Sequence, residues 1–544
     1  MSQRLEPAPV GDLDTVLAYH ERTKHHLERY AAGPETLDWS SQPDPFRVFE
    51  SAPRRFLPLA ADRLTTPYGA WSTPGGVPPQ PLNLETLAIL LELSLGLSAW
   101  KEYGPDRWAL RCNPSSGNLH PTEGYVLTRS VPGLADGLHH YLSRDHLLEL
   151  RCRYPEHDGA APRALLALTS IHWREAWKYG ERAFRYCQLD TGHALGALRY
   201  AAAALGWRLR WRSDIGHREL AAGLGLDRRA DFAGAEPEEP ELLLEVLAEP
   251  SAPAQDPRAL WAEGGAWNGR ANTLDPHPMY RWPIIDEVAR ASRAPGIAAL
   301  VPDYKDRPPR SVAAGPPAAR LIRQRRSAQH FDRRGVLPGP DFYQLLEALL
   351  PHRDEPPWDV WPWPPRLHPV LFVHRVEGLA PGLYVLPRRA AIVPDLKAAL
   401  RNDFAWTTPA GCPAALPLFL LAEGECGKIA RIINCHQAIA ADSAFALGML
   451  AEFEAALAEG PWHYRLLHWE AGLLGQVLYL EAEALGVRGT GIGCYFDDPF
   501  HQLLGLTGRR FQSLYHFTVG HPLVDTRILT RPPYAGRRPE PNPG

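Results

Sequence analysis

Four stretches of the chain carry residue types and spacings suited to chemistry. From Arg111 the sequence reads R-C-N-P-S-S-G-N-L-H-P-T-E, setting Pro114, Ser115, Ser116, Gly117 and Asn118 side by side ahead of an apolar G-Y-V-L. Two hydroxyls, an amide and a glycine that lets the backbone come close suit a flat, polar ligand, although a solvated turn uses the same residues. From Ile322, I-R-Q-R-R-S-A-Q-H-F-D-R-R places Arg325, Arg326 and Ser327 in a row. Such a row grips phosphate by charge-assisted, bidentate bonds, and its plain alternative is an exposed basic helix face. From Arg488, R-G-T-G-I-G-C-Y-F-D-D follows the end of a helix with three glycines between Gly489 and Gly493. Backbone N–H groups there can approach a ligand without a Cβ in the way. The spacing is not G-x-G-x-x-G, so a Rossmann site is not supported. From Trp177, W-K-Y-G-E-R-A-F-R-Y pairs Lys178 with Tyr179 among aromatics. Desolvation lowers a lysine pKa and makes a usable base; local sequence alone favours a solvated lysine. The histidines of L-H-P, and His193, read as packing or hydrogen-bonding residues, and no H-E-x-x-H or carboxylate-rich loop argues for a metal.

The elements that would position these residues occur twice. F-R-Y-C-Q-L-D-T-G-H-A-L-G-A-L-R-Y-A-A-A-A-L-G (Phe184–Gly206) aligns without a gap to Y-R-L-L-H-W-E-A-G-L-L-G-Q-V-L-Y-L-E-A-E-A-L-G (Tyr464–Gly486), 280 positions later. Arg185 matches Arg465 and Gly192 matches Gly472; both segments read as helices closed by glycine. L-H-P at Leu119 returns at Leu367 in P-P-R-L-H-P-V-L-F-V, a worn copy of the serine loop, and G-L-A-D-G-L at Gly133 returns as G-L-A-P-G-L at Gly378. Each half mixes long helices with short strands, G-Y-V-L-T-R and H-H-Y-L in the first, V-L-F-V-H-R and L-Y-V-L in the second. The expected architecture is α+β, duplicated in one chain: half one over 1–250, a Pro/Ala/Trp-rich joint over 251–315, and half two over 316–544, packed as an internal pseudo-dimer.

Composition narrows the class. The 544 residues are 45% hydrophobic and 22% charged with a net charge of −4. That is an ordinary globular balance, with no general affinity for nucleic acid or anionic membrane. Seven scattered cysteines without a C-x-x-C pair fit reduced thiols in a cytoplasmic protein. The first residues lack a signal peptide's apolar stretch, and Leu82–Trp100, the most apolar window, carries Glu85 and Glu92 and reads as an amphipathic helix.

Together the four stretches resemble the nitroreductase-like flavoproteins and, within them, the azoline dehydrogenases of the SagB/ThcOx type. P-S-S-G-N-L-H-P-T-E-G-Y is similar to that family's isoalloxazine loop. R-R-S-A-Q-H-F is similar to its R-R-S-x-R-x-F opening, with Gln329 where arginine is usual. G-T-G-I-G-C-Y-F-D-D, L-L-G-L and Y-H-F-T-V-G-H-P resemble its C-terminal segment. Y-H-E-R-T-K-H at Tyr19, L-D-W at Leu37 and W-K-Y-G-E-R-A-F-R-Y point to the SagB/ThcOx branch. The likeness covers most of the chain outside the joint. It implies a nitroreductase-like fold holding FMN between the halves. It implies flavin contacts from Pro114, Ser115, Ser116, Gly117 and Asn118 of half one, and from Arg325, Arg326, Ser327, Gln329, Gly491, Ile492, Gly493, Arg527 and Arg531 of half two. The reciprocal motifs are worn, so one flavin site is expected and the other lost. The implied reaction is dehydrogenation of a thiazoline or oxazoline, in a peptide or small molecule, with oxygen as acceptor, Lys178 as base and Tyr179 as its partner. Cyclodehydratase-type enzymes are the implied partners. Two alternatives stay open: an NAD(P)H-dependent nitro- or quinone-type reductase, and a non-catalytic peptide-binding member of a modification complex. Monomer and homodimer also stay open.

Overall fold

The computed structural model describes residues 10–73, 75–156, 160–249, 256–298, 310 and 315–537. The N-terminal residues read for a leader, and most of the joint's proline-rich stretches, lie outside them.

In half one, helices α1 (Val10–Arg22), α2 (Leu84–Ser94), α3 (His172–Tyr179) and α4 (Ala183–Ala204) accompany strands β1 (Leu97–Tyr103), β2 (Asp106–Arg111), β3 (Thr122–Arg129), β4 (Gly137–Leu142), β5 (Leu147–Arg153), β6 (Arg163–Ser170), β7 (Arg208–Trp211) and β8 (Glu239–Leu247). Half two has α5 (Ala318–Gln324), α6 (Gly339–Ala348) and α7 (His463–Ala484) with β9 (Leu367–Val373), β10 (Gly382–Val385), β11 (Phe419–Glu423), β12 (Phe445–Ala451), β13 (Arg488–Ile492), β14 (Gln512–Gly520) and β15 (Leu529–Arg531). The main sheets run β5-β4-β3-β6-β8-β7 and β11-β10-β9-β12-β14-β13, entirely antiparallel and matched strand for strand. The duplicated α+β fold is therefore present in the backbone as well as in the repeats.

Helices α4 and α7 form the spine between the halves. Both are buried along most of their length and both end in a left-handed glycine, Gly206 and Gly486. They cross at Gly192 and Gly472. A Cβ on Gly192 would stand 2.2 Å from the Trp469 carbonyl oxygen, and one on Gly472 would stand 2.1 Å from that of Leu189. Leu189 and Trp469 are themselves repeat partners, so the contact is self-complementary, as across a two-fold axis. Next to it, Asp497 of half two lies fully buried between Arg182 (3.0 Å) and Arg185 (2.9 Å) of half one and accepts the His25 N–H. Those two guanidinium groups outweigh burial and hold its carboxyl far below the usual range. The reverse link joins Arg465 to Glu239 and Glu241.

Two segments depart from the sequence reading. Leu82–Trp100 is not one amphipathic helix: α2 is buried on every side from Thr86 to Ser94, and the chain then turns into β1. Glu92 is accommodated because its carboxylate accepts the N–H groups of Ala60 and Ala61. The joint has structure of its own. Helices Pro257–Ala262 and Pro283–Ala291 fold onto half one, where Ala266–Trp267 pairs with β5. Among the described residues no helix is long and apolar enough to cross a membrane.

Candidate active site

A cleft between the halves holds two neighbouring cavities, about 220 and 290 Å³, with Pro114, Ser115 and Ser327 in the lining of both. One end is cationic. Lys101 on β1, Arg325 and Arg326 beyond α5, and Arg488 at the start of β13 line or border it with Gln329. R-R-S is thus not a helix face: α5 stops at Gln324 and Arg325 is already extended. Arg325 and Arg326 direct their hydrogen bonds to the carbonyls of Arg111, Arg323, Arg325 and Ser98 and to the Ser98 hydroxyl, not to carboxylates. Burial, then repulsion from Arg325, lowers Arg326 to about 10, and burial lowers Arg325 as well. Four buried polar atoms on the same wall lack a protein partner: Nε of Arg111 and of Arg325, Oδ1 of Asn113 and Nδ1 of His120. Buried cations with open donors favour an anion.

The other end is flat-walled and aromatic. The Ser115–Gly117 loop faces Tyr179, Tyr186, Asp190, Tyr479, Tyr515 and the backbone of residues 490–494. Gly117, Asn118 and His120 all take positive φ, so the loop coils tightly. A Cβ at Gly117 would come within 2.4 Å of the Tyr179 hydroxyl, so glycine is required there. Asp190 anchors the loop by accepting the Ser116 N–H (3.0 Å) and hydroxyl (2.9 Å). The Asn118 amide donates to the Ala109 carbonyl, and the Ser115 hydroxyl accepts the His120 N–H. The polar side chains read as ligand donors therefore shape the loop. Burial raises Asp190 to about 7 despite those bonds.

Gly489–Ile492 of G-T-G-I-G lie in an edge strand, β13, and Gly493 follows it. Gly491 is glycine because a Cβ would strike the Tyr515 hydroxyl, and its N–H donates to the Tyr479 hydroxyl, which also bonds Ser327. The structure thus brings together Pro114, Ser115, Ser116, Gly117, Asn118, Arg325, Arg326, Ser327, Gln329, Gly491, Ile492, Gly493 and Tyr179. It does not bring Arg527 or Arg531 into the lining. Both are exposed on the C-terminal arm and paired, Arg527 with Asp525 and Arg531 with Glu102, as β15 adds to β1. Lys178 stands just outside, half-buried, with Nζ 5.4 Å from the ring centroids of Trp39 and of Tyr179. Burial lowers its pKa, and Glu175 partly offsets this. Glu175 is fully buried, neither of its oxygens has a partner, and burial raises its carboxyl strongly.

Sequence reasoning missed Asp190, Tyr479, Tyr515, Lys101 and Arg488. For Asp190 a signal existed: the repeat pairs it with Glu470, and Glu470 accepts the backbone N–H of Arg366 (3.0 Å) in the worn loop as Asp190 accepts that of Ser116. P-P-R-L-H-P thus superposes on P-S-S-G-N-L-H-P with Gly117 and Asn118 deleted.

A larger cavity, about 650 Å³, lies between α3 and the joint. Its three glutamates are already engaged: Glu236 by the N–H groups of Leu274 and Asp275, Glu238 by Arg47, Tyr125 and Thr169, and Glu239 by Arg293 and Arg465. Asp286 and the unpartnered Nε2 of His172 and Nε1 of Trp282 line it too, but it has no cluster of basic side chains joined to a glycine-bearing loop as the cleft has.

No family model matches the chain. A protein of Methanocaldococcus jannaschii with a provisional nitroreductase name, MJ1384, is 26% identical over 137 residues, 23% of this chain. The match spans 66% of that relative's length, just under two thirds. The crystal structure of a provisionally named nitroreductase from Anabaena variabilis superposes with a TM-score of 0.67 at 23% identity, covering 94% of this chain and 99% of that one. The fold is nitroreductase-like, and it is shared over nearly the whole duplicated chain.

Proposed function

We propose that the chain is an FMN-dependent oxidoreductase that dehydrogenates thiazoline or oxazoline rings to the aromatic azoles, with oxygen as electron acceptor. The observation that carries the reading is the composite cleft: a cationic end, in which Arg325 and Arg326 bond no carboxylate, beside a flat aromatic end, each built from both halves. FMN has a phosphate for the first and a planar ring for the second. Arg325, Arg326, Lys101 and Arg488 would hold the phosphate, and the Ser115–Gly117 loop, Tyr479 and β13 would hold the ring. The flavin supplies acceptance of hydride, and the protein supplies orientation and a base. Lys178 is that base: its desolvated amine, next to Tyr179 at the ring end, takes the ring proton that leaves beside C=N. Glu175, three residues earlier on α3, is buried and its carboxyl is raised by burial, while burial lowers the Lys178 amine. Cyclodehydration of a peptide supplies such rings, which makes cyclodehydratase-type enzymes the partners this reading calls for.

The test is Lys178→Ala in the purified, yellow protein. Flavin colour is retained and flavin reduction by an azoline peptide slows about a hundredfold, the usual cost of a lost acid–base group. An unchanged rate removes Lys178 from the mechanism. Bleaching by NADH but not by azolines replaces the reading with a nitro- or quinone-type reductase, and a colourless protein replaces it with a peptide-binding role.

A further inference from the structure

We propose that the cavity of about 650 Å³ between α3 and the joint is a second substrate site. It holds a planar ring with an in-plane acceptor, an azole already formed in the same peptide, while another ring lies in the cleft. That the ring is the substrate's own rests on the azoline reading above; the binding of such a ring does not. Aromatic side chains make up much of the wall. Tyr280 and Trp282, just ahead of helix Pro283–Ala291, stack on each other at 5.8 Å and 15°. Trp173 of α3 is held in place by its indole N–H, which donates to Asp275 (2.8 Å). His172 lies beside it, and burial pushes its imidazole down to about 4, so this ring is uncharged at neutral pH. Two polar atoms of the wall, Nε1 of Trp282 and Nε2 of His172, are buried without a hydrogen-bond partner. An indole N–H can only donate, and leaving a buried donor unpaired is costly. The glutamates nearby are taken up by other donors. The missing partner is an acceptor brought by the ligand. A thiazole or oxazole carries one in the plane of its ring, and its faces remain free to stack on indole and phenol.

One surface joins this cavity to the base. Trp173 and Ala176 of α3 line the cavity, and Lys178 follows on the same helix. Along α3, Trp173 and Lys178 stand about 7.5 Å apart, the rise of five helical residues. An extended peptide covers that in about two or three residues. The Tyr280 hydroxyl accepts the Thr36 N–H (3.3 Å), and the loop that starts at Thr36 carries Trp39. Trp39 is 61% exposed, packs edge-on against Trp177 at 5.4 Å, and has its ring centroid 5.4 Å from Lys178 Nζ. Trp282, Tyr280 and Trp39 thus lead from the cavity to the base. A peptide with several rings would keep a finished one in the cavity while the next is oxidised.

The experiment uses the full chain in two arms. In the first, which needs no turnover, the protein is titrated with 2-methylthiazole-4-carboxamide and with 5-methylthiophene-3-carboxamide, followed by saturation-transfer NMR. The two probes differ only in the ring nitrogen. The thiazole should bind about tenfold tighter, the worth of one hydrogen bond to a buried donor. Trp282→Phe keeps a ring and removes the N–H, and should bring the two affinities together. No binding, equal binding to wild type, or a preference that survives Trp282→Phe overturns the site. If that variant does not fold, the wild type still decides. A diazirine-bearing thiazole carboxamide should label peptides that contain Trp173 or Tyr280, and labelling confined to the cleft around Ser116 or Tyr479 overturns the site. In the second arm, flavin-loaded protein turns over azoline peptides that carry either a thiazole or an alanine two to four residues from the azoline. The thiazole should lower KM about tenfold, and Trp282→Phe should erase that advantage. Equal KM values overturn the claim that the ring is the substrate's own. Turnover of neither peptide fails the azoline reading, and that claim with it, without touching the first arm.

Discussion

The two halves build the same site twice and keep it once. In the intact cleft Gly491 stands opposite Phe517 on the neighbouring strand; 280 positions earlier, Trp211 stands opposite Leu244 in the matching register. The Trp211 indole is the hub of a cluster with Trp361, Trp363 and Trp469, at ring distances of 5.6, 4.6 and 5.4 Å. What remains of the second site is a cavity of about 20 Å³, against about 220 and 290 Å³ in the intact cleft. The cationic end is closed as well. Arg208, the partner of Arg488, pairs with Asp354, and Arg199, the partner of Tyr479, makes a bidentate pair with Asp359. Both aspartates, and Trp361 and Trp363, come from the segment that half two carries where half one has the β1–β2 hairpin and the serine loop. The difference teaches that a duplicated site is lost most stably by being filled. The indoles fill the space and Asp359 pairs with buried Arg199, so neither a sizeable cavity nor a bare cation is left in the core there.

The largest expected effect comes from the link that makes the comparison possible. Asp497→Ala strands Arg182 and Arg185 in the interface, and unfolding should become easier by about 3–5 kcal/mol, the usual cost of breaking a buried pair from one side. A denaturant midpoint close to wild type would mean that the helix crossing and the Arg465 link hold the halves without help from Asp497. Next, Trp211→Gly restores the intact half's residue at that position. It should cost about 3 kcal/mol in the same measurement, the lower range for a lost buried indole, and should not add a second flavin, because the basic residues on that side remain paired. Flavin gained by this variant would show that the indole is the only barrier. The last effect is electrostatic and is read as a slope against pH. The Asp190 carboxyl lies near 7 in the folded chain against 3.8 ordinarily. Folding therefore takes up a proton, and the stability so gained is present in full below about 4 and is lost as pH rises to about 7. Asp190→Asn cannot titrate. The stability of wild type minus that of the variant should fall across that window, by no more than about 1.4 kcal/mol per pH unit. A flat difference would place the Asp190 pKa at its ordinary value.

The duplication was legible because a buried helix must keep its crossing glycine and its buried arginine, and Gly192, Gly472, Arg185 and Arg465 stand in exact repeat. The serine loop and R-R-S were legible for the same kind of reason: their residue types are costly to use except near a ligand or in a tight turn. Other features depended on tertiary partners that no local pattern shows. G-T-G-I-G looks like a loop until Phe517 and Tyr515 appear beside it as strand neighbours. Trp361 and Trp363, in a proline-rich stretch, give no sign that they fill a site. Y-H-E-R-T-K-H at Tyr19 could be matched to a family but not explained: its Arg22 binds Glu181, its Lys24 binds Asp498 and its His25 N–H caps Asp497. Arg527 and Arg531 have the right charge, but their own carboxylate partners hold them at the rim.

The central claim, one open cleft and one filled, is tested most directly by counting flavin. Protein saturated with FMN, freed of excess and then heat-denatured, should release one FMN per chain, with apoprotein titration giving a single class of site. Two FMN per chain would contradict the account, because the space around Trp211, Trp363 and Trp469 would then have to open and bind despite its indoles and its paired arginines.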